Sequence, residues 1–399
     1  MMDIAIAGMG MGGLCLASFL RQEGHNVTLF DQMQKAGPVG SGFVLQPTGL
    51  IVLDKLGLRQ RAEARGQRID RMLGKLSKDD KVVLDVGYNK DDYGVAIIRW
   101  SLFDLLYEHA VELGAQVEVQ HRIIGVDNGP KPQFIFENGT KSANFDLLID
   151  AMGARSPLRA TKGKELDYGA VWVNLPWHDN IGFEPTTLEQ RYHKASTMIG
   201  VLPLGKGNLK AQAMTTFFWS LRHQDHAKWQ ADGIDAWVEK IARFWPQTMP
   251  LIENMADYRD QIVYANYRHH THISPAEGNL VRLGDAWHAT SPQLGQGANM
   301  AFLDALAFIE AAKQNKERAD IIADYAKRRR IHILFYQFLS CCLTPFYQSD
   351  NAILPFLRDY LIAPTLRRRG LVHAMVASMV TGQFFNPIKR ATKSKSILS

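Results

Sequence analysis

The segment Gly8-Met9-Gly10-Met11-Gly12-Gly13 constrains this chain more than any other six residues. It follows a short apolar run, residues 3–7, and opens a stretch with helical apolar spacing over 12–23. A G-x-G-x-x-G pattern between a buried strand and a helix predicts a dinucleotide site. Gly8 permits the tight turn, Gly10 lets the backbone approach a pyrophosphate, and Gly13 lets the helix pack on the strand. The helix N-terminus then faces the phosphates. A second strand over 26–31 ends at Asp31, whose carboxylate is placed to accept hydrogen bonds from a ribose. Aspartate here, rather than arginine, disfavours a 2′-phosphate, so FAD or NAD suits the pocket better than NADP.

With 399 residues the chain has room for two or three domains, at roughly 150 residues each. Its 46% apolar and 22% charged residues are globular values and exclude collagen, coiled coil and disorder. Cys15, Cys341 and Cys342 lack the number and the C-x-x-C spacing for a disulfide framework or a zinc site. They point to reduced thiols and a cytoplasmic protein. The net charge of +6 gathers late in the chain, at Arg328, Arg329 and Arg330, at Arg367, Arg368 and Arg369, and from Lys389 to Lys395. Beside apolar segments such a basic end fits an anionic membrane surface at least as well as a phosphate backbone. Peripheral contact with the inner face of a membrane is therefore an expectation, and nucleic acid is not. Met1-Met2-Asp3 offers no basic leader region. No run reaches the ~18 apolar residues that spanning a bilayer requires.

Alternating runs over 68–76, 81–86 and 94–98 predict antiparallel strands, and 101–113 a helix with Ser101 as N-cap and Gly114 as stop signal. Six of the eight tryptophans (Trp172, Trp177, Trp219, Trp229, Trp237 and Trp245) fall between 168 and 268, where the pattern turns strand-like around one helix at 234–244. A buried strand over 279–283 and a helix over 297–312 return the chain to its first domain. The expected fold is α/β. A Rossmann-like nucleotide domain (1–167, with strands near 68–98 lent to the other sheet) resumes at 276–330. A sheet-containing substrate domain (168–275) is interleaved, and a C-terminal helical region (331–386) and a basic tail (387–399) follow.

Downstream, Gly284-Asp285-Ala286-Trp287-His288 leads into Pro292-Gln293-Leu294-Gly295-Gln296-Gly297-Ala298-Asn299 at the start of a helix. With this Gly-Asp … Pro-x-x-Gly-Gln-Gly-x-Asn pattern the sequence resembles the aromatic-hydroxylase family of FAD-dependent monooxygenases. The likeness implies a Rossmann-like FAD-binding domain with FAD as cofactor. It implies that Asp285 bonds the ribityl chain, and that the amides around Gly295, Gln296, Gly297, Ala298 and Asn299 face the flavin pyrimidine edge. There a helix N-terminus stabilises the negative charge of reduced flavin. Pro292 would border the isoalloxazine where oxygen adds. Arg99, within Ile98-Arg99-Trp100-Ser101-Leu102, matches the arginine this family carries near FAD, and Tyr325 with Arg328 and Arg329 is similar to the end of its FAD domain. Phe335-Tyr336-Gln337-Phe338-Leu339, Leu343-Thr344-Pro345-Phe346-Tyr347 and Leu357-Arg358-Asp359 resemble the ends of ubiquinone-biosynthesis hydroxylases, which act on rings with long apolar tails.

The implied activity is hydroxylation of a hydrophobic aromatic or quinone-like small molecule through a flavin C4a-hydroperoxide. The alternatives are a flavin oxidoreductase without oxygen insertion and an accessory flavoprotein reduced by a partner. Candidate bases are His269, His270, His272 and His288; strand alternation puts His270 and His272 on one face, His288 reads rather as structural, and no metal ligand set is expected. Val171-Trp172-Val173 and Phe217-Phe218-Trp219 read as pocket or core. One departure stands out: Met152 occupies the aspartate position of the family's Asp-Gly motif, which serves FAD and NAD(P)H, and methionine lacks a carboxylate's acceptors. NAD(P)H bound by other contacts, a partner reductase or reduced flavin, and a vestigial activity all stay open as consequences. A homodimer is a further partner expectation.

Overall fold

The structure, a computed structural model, describes residues 1–34, 41–88, 91–159, 163–178, 181–207, 212–364, 370–385 and 388. Arg367, Arg368, Arg369 and the basic tail from Lys389 lie outside them.

Asp3–Ala7 is apolar at every position from Ile4 on and buried throughout that run, as a central parallel strand must be. It pairs in parallel with Asn26–Phe30 on one side and Leu147–Asp150 on the other. The full order is Ala276–Glu277, Leu280–Arg282, Leu147–Asp150, Asp3–Ala7, Asn26–Phe30 and Gln116–Glu118. All neighbours are parallel except the first pair. Asp3–Ala7 is the strand from which the order runs both ways, and such a switch point opens a crevice at the strands' carboxyl ends. Gly8 to Gly13 lie there. Helix Met11–Gln22 crosses this sheet against helix Gly297–Gln314, and Gly12 sets the approach: a Cβ on it would lie 2.5 Å from Leu283 Cδ2 and 3.1 Å from Ala301 Cβ.

The predicted strand over 68–76 is two strands in two sheets. Gln67–Ile69 joins Gly42–Leu45 and Gly94–Ile98 in a three-stranded sheet, whereas Arg71–Leu76 joins the large substrate sheet. The switch falls at Asp70, whose N–H is donated to Thr186 O (2.8 Å) instead of to either ladder. Ser101 is not an N-cap. The helix is Arg99–Glu112, capped from Ile98, because the Ser101 hydroxyl is drawn to Gly207 O at 2.6 Å.

Seven strands form the second sheet, in the order Val263–Ala265, Tyr168–Pro176, Met214–Arg222, Thr197–Leu204, Thr187–His193, Arg71–Leu76 and Val82–Gly87. Side chains alternate across it. Val171, Val173, Phe217, Trp219, Ile199 and Val201 pack into one cluster with Ile234, Trp237 and Ile241 of helix His226–Phe244. That helix starts eight residues earlier than its apolar spacing predicts and breaks at Gly233, where φ is +83°. Trp172, Phe218, Met198 and Leu202 occupy the other face and look toward the nucleotide domain. Gly200 makes this possible, since a side chain on it would collide with the Phe218 ring.

The expected boundary between 330 and 331 falls inside one helix, Arg318–Tyr347. Its buried positions run from Ile321 and Tyr325 through Arg329, His332 and Tyr336 to Ser340 and Thr344, so one face stays buried across the boundary. The opposite side leaves Ile331, Leu334 and Phe338 exposed. No helix of the described residues is long and apolar enough to cross a membrane.

Trp245 closes the substrate domain's own core. It is 1% exposed, stacks edge-on to Phe183, sits under the Arg191 guanidinium at 4.8 Å, and donates its indole N–H to Gln247 Oε1 at 3.1 Å. Trp245→Ala should lower stability to urea by ~3–5 kcal/mol without displacing bound flavin. Coupled loss of flavin absorbance at native urea concentrations would show that this core and the nucleotide site are not separable.

Candidate active site

One cavity of about 1020 Å³ runs from the glycine loop, past residues 290–298, to the inner face of the seven-stranded sheet and helix Arg318–Tyr347. A single small-molecule site spans about 300–1,000 Å³, so this one has the size for a dinucleotide's flavin end and a further ring.

At the nucleotide end Gly8 adopts φ +100°, and a Cβ there would lie 2.7 Å from Ala151 O. A Cβ on Gly10 would meet nothing nearer than Ala151 O at 3.9 Å and would project into space that a pyrophosphate needs. Gly13 does not line the cavity; a side chain on it would strike Gly8 O. The first helical hydrogen bond runs from Leu14 N to Gly10 O (3.0 Å), which leaves the preceding amides for a ligand. Asp31 lines the cavity and its two oxygens already accept Met9 N (2.8 Å) and Met33 N (3.0 Å). Its remaining lone pairs face outward for a ribose, and the backbone bonds fix the carboxylate in place.

The flavin end is built on Gly284, at φ +60°, and Gly295, at φ +61°. Asp285 sits deep in the molecule, opens onto the cavity and makes no hydrogen bond among the described residues. Burial pushes its carboxyl up, against the charges of His288 and Arg99. Arg99 also lines the cavity, its guanidinium 5.4 Å from the Phe43 ring centroid and without an ion pair among the described residues. Burial lowers it, opposed by Asp285. Pro292, Gly295, Gln296, Gly297 and Ala298 border the space. Because the first helical bond there is Met300 N to Gln296 O (2.8 Å), the amides before it point outward. Gln296 spends its side-chain N–H₂ on Val380 O at 2.6 Å.

Asn299 departs from its expected place. It is fully buried and does not line the cavity. Its Oδ1 accepts Gln46 N (2.9 Å) and its Nδ2 donates to Val44 O (3.2 Å) and Gly295 O (3.3 Å), so it clamps the loop after Gly42–Leu45 to the second glycine motif. His270 and His272 also lie outside the cavity, behind the Gly284 to Ala289 segment. Their backbone N–H groups bond Ala289 O and Trp287 O, and their rings meet edge to face at 5.5 Å. Alternation does place them on one face, but that face turns to Trp287 and not to substrate. Burial lowers His270 to about 4, leaving a weak base.

A residue that sequence reasoning passed over holds this end together. Asp304, fully buried, accepts Gly284 N (2.9 Å) and His288 Nε2 (2.7 Å) on one oxygen and Arg329 Nε (2.6 Å) on the other. Burial alone would raise its carboxyl, yet the His288 and Arg329 charges and hydrogen bonds hold it below the usual range. Arg329 in turn donates to His332 Nδ1 (2.9 Å). That nitrogen must therefore accept, and Nε2 is left to donate to Gly382 O (3.3 Å). The partners of Asp304 come from two distant segments, 284–288 and Arg329, so no local spacing announces it.

Met152 lines the cavity, with its N–H bonded to Asp150 Oδ1 at 3.1 Å. Asp150 also accepts Ser156 Oγ at 2.6 Å and is fully buried, so it does not take over the missing carboxylate's place. Beyond the flavin end, Met72, Leu84, Trp172, Leu188, Met198, Leu202, Phe218, Leu339 and Leu343 make the chamber apolar, with Gln190, Tyr192, Tyr267, Tyr347 and Gln348 among them. An unfilled cradle at Gly10, an unpartnered Asp285 and Arg99, and two helix N-termini aimed at one space together fit FAD.

Residues 1–333 match the family of FAD-binding domains. Among curated relatives, the aurachin C monooxygenase/isomerase of Stigmatella aurantiaca is 26% identical over 90% of this chain and 94% of that protein. The kynurenine 3-monooxygenase of Xanthomonas campestris pv. campestris is 25% identical over 82% of this chain and 75% of that one. The solved structure of 2-methyl-3-hydroxypyridine-5-carboxylic acid oxygenase superposes with a TM-score of 0.78 at 20% identity, covering 98% of each chain, and shares the fold.

Asp304→Asn should unseat both sides of this site. Leaving the buried Arg329 without its counter-charge costs about 3–5 kcal/mol, and the Gly284 loop loses its anchor. A thermal melt together with flavin content per protein checks this; a variant with unchanged midpoint and full flavin would contradict it.

Proposed function

The chain belongs to the FAD-binding-domain family and is an FAD-dependent monooxygenase, and from that premise we propose that its substrate is a hydrophobic aromatic or quinone-like ring, with NAD(P)H as the electron donor. The continuous cavity carries the reading: the glycine loops and an apolar chamber share one space. When bound, FAD supplies the redox chemistry and the activated oxygen. The relatives' names place oxygen insertion on ring compounds, which agrees with a chamber of that shape and polarity.

This chain's residues do the rest. The amides after Gly10 would hold the pyrophosphate, Asp31 the ribose and Asp285 the ribityl chain, with Arg99 on the same cavity wall. The helix that starts at Gly297 would offer positive potential to the bound group, favouring an anionic reduced state by ~0.3–1 kcal/mol. Pro292 and the glycines around it would border the group on the side of the chamber. Trp172, Phe218, Leu339 and Leu343 exclude water and hold a ring by its apolar faces.

Met152 is the residue that makes the electron donor an open contest, and the donor's test follows from it. Under anaerobic conditions, NADH or NADPH should bleach the bound flavin, faster when an aromatic ring such as 4(1H)-quinolone is present. Flavin that dithionite reduces but neither nicotinamide bleaches, with or without a ring, would overturn the donor and leave reduction to a partner reductase.

A further inference from the structure

We propose that Tyr267 donates its hydroxyl proton to an oxygen on the substrate ring, and that Trp172 fixes the direction of that donation. The inference rests on the chamber being the ring's site and names the chemistry that site selects: an aromatic ring bearing a carbonyl or phenolic oxygen.

Tyr267 lies between strands Val263–Ala265 and Arg268–His269, anchored where Leu166 N bonds its carbonyl oxygen at 3.0 Å. Its side chain lines the cavity, deep in the protein yet open to that space. Trp172 Nε1 donates to its hydroxyl oxygen at 3.0 Å. An indole N–H can only donate, so the phenol accepts here and must send its own proton elsewhere. No described residue accepts that proton. Other phenols differ: Tyr192 gives its proton to Gln190 Oε1 at 2.7 Å, and Tyr88 gives its to Gln46 Oε1 at 2.9 Å.

Trp172 is held in turn. Its ring lies tilted against Phe218, centroids 4.7 Å apart, on a central strand of the sheet. Burial keeps the Tyr267 phenol protonated well above neutral pH, with the indole bond and the Arg99 charge opposing weakly. Tyr267 is thus an obligate donor whose remaining direction is the cavity. Arg99, near enough to act on it electrostatically, favours an acceptor that carries negative charge, in full on a phenolate oxygen and in part on a ring carbonyl. In its phenolate or enolate form such an oxygen also enriches the ring in electrons, which electrophilic oxygen transfer to carbon requires. An apolar pocket with one aimed donor fixes a ring's orientation as well as its presence.

The test uses the FAD-loaded enzyme and follows the flavin absorbance spectrum during titration with 4(1H)-quinolone and, separately, naphthalene. The wild type should bind the quinolone the more tightly. Tyr267→Phe should weaken quinolone binding about tenfold and leave naphthalene where it was. Trp172→Phe, with the phenol free to rotate, should fall between. The double replacement removes donor and acceptor together, and it should match Tyr267→Phe in ring preference without the unpaired indole that single variant leaves behind. Equal binding of both rings by wild type and Tyr267→Phe would overturn the inference and leave the chamber standing. If neither ring perturbs the wild-type flavin, the chamber itself is misassigned and the inference falls with it.

Discussion

The buried Asp304 carboxylate is the interaction on which the site depends. Its three bonds join the Gly284 turn and the His288 imidazole four residues on to the Arg329 guanidinium of a separate stretch of chain. A charge this deep is tolerated only because every oxygen is used and an opposite charge sits at 2.6 Å. What it stabilises is position. Asp285 follows Gly284 directly, and Asp304 itself stands on the helix whose N-terminus meets the flavin end of the cavity. The Asp285 carboxylate and the amides at that end of the cavity are thereby held in one frame, and Arg329 ties that frame to the helix whose far end walls the apolar part of the cavity.

That long helix, Arg318–Tyr347, makes the C-terminal region part of the active site. Ser340 and Thr344 bond Ser291 Oγ at 2.7 and 2.8 Å, one residue before Pro292. Leu339 and Leu343 then face the cavity. A chain cut near residue 330, at the expected boundary, would lose this wall of the cavity and both Ser291 contacts. The helix runs through that boundary.

The two glycine motifs were legible because their physics is local: a tight turn, a close approach and a helix start all lie within a few residues of one another. The central parallel strands were legible for the same reason, as short runs apolar on every position. Asn299 shows the limit. Its place in the motif was plain, but whether its side chain met the cofactor or the Gly42–Leu45 loop depended on a strand some 250 residues away. His270 and His272 failed similarly, since alternation assigns a common face without saying what covers it. The aromatic triplets around Trp172 and Phe218 were read as pocket or core, and the sheet makes them both, the middle residue to the cavity and its two neighbours to the core. Asp304 and the Trp172–Tyr267 pair carried no sequence signal, because each is a contact between segments far apart in the chain.

One continuous space is to serve both flavin and ring, so the oxygen that flavin chemistry activates should end on the ring. Turnover under oxygen-18 gas with a ring that bleaching or binding has identified, followed by mass spectrometry of the product, tests this most directly. The account predicts one labelled oxygen atom in the hydroxylated ring and no label taken from oxygen-18 water. An oxidised product without label from the gas would contradict it and make this protein a flavin oxidoreductase that inserts no oxygen.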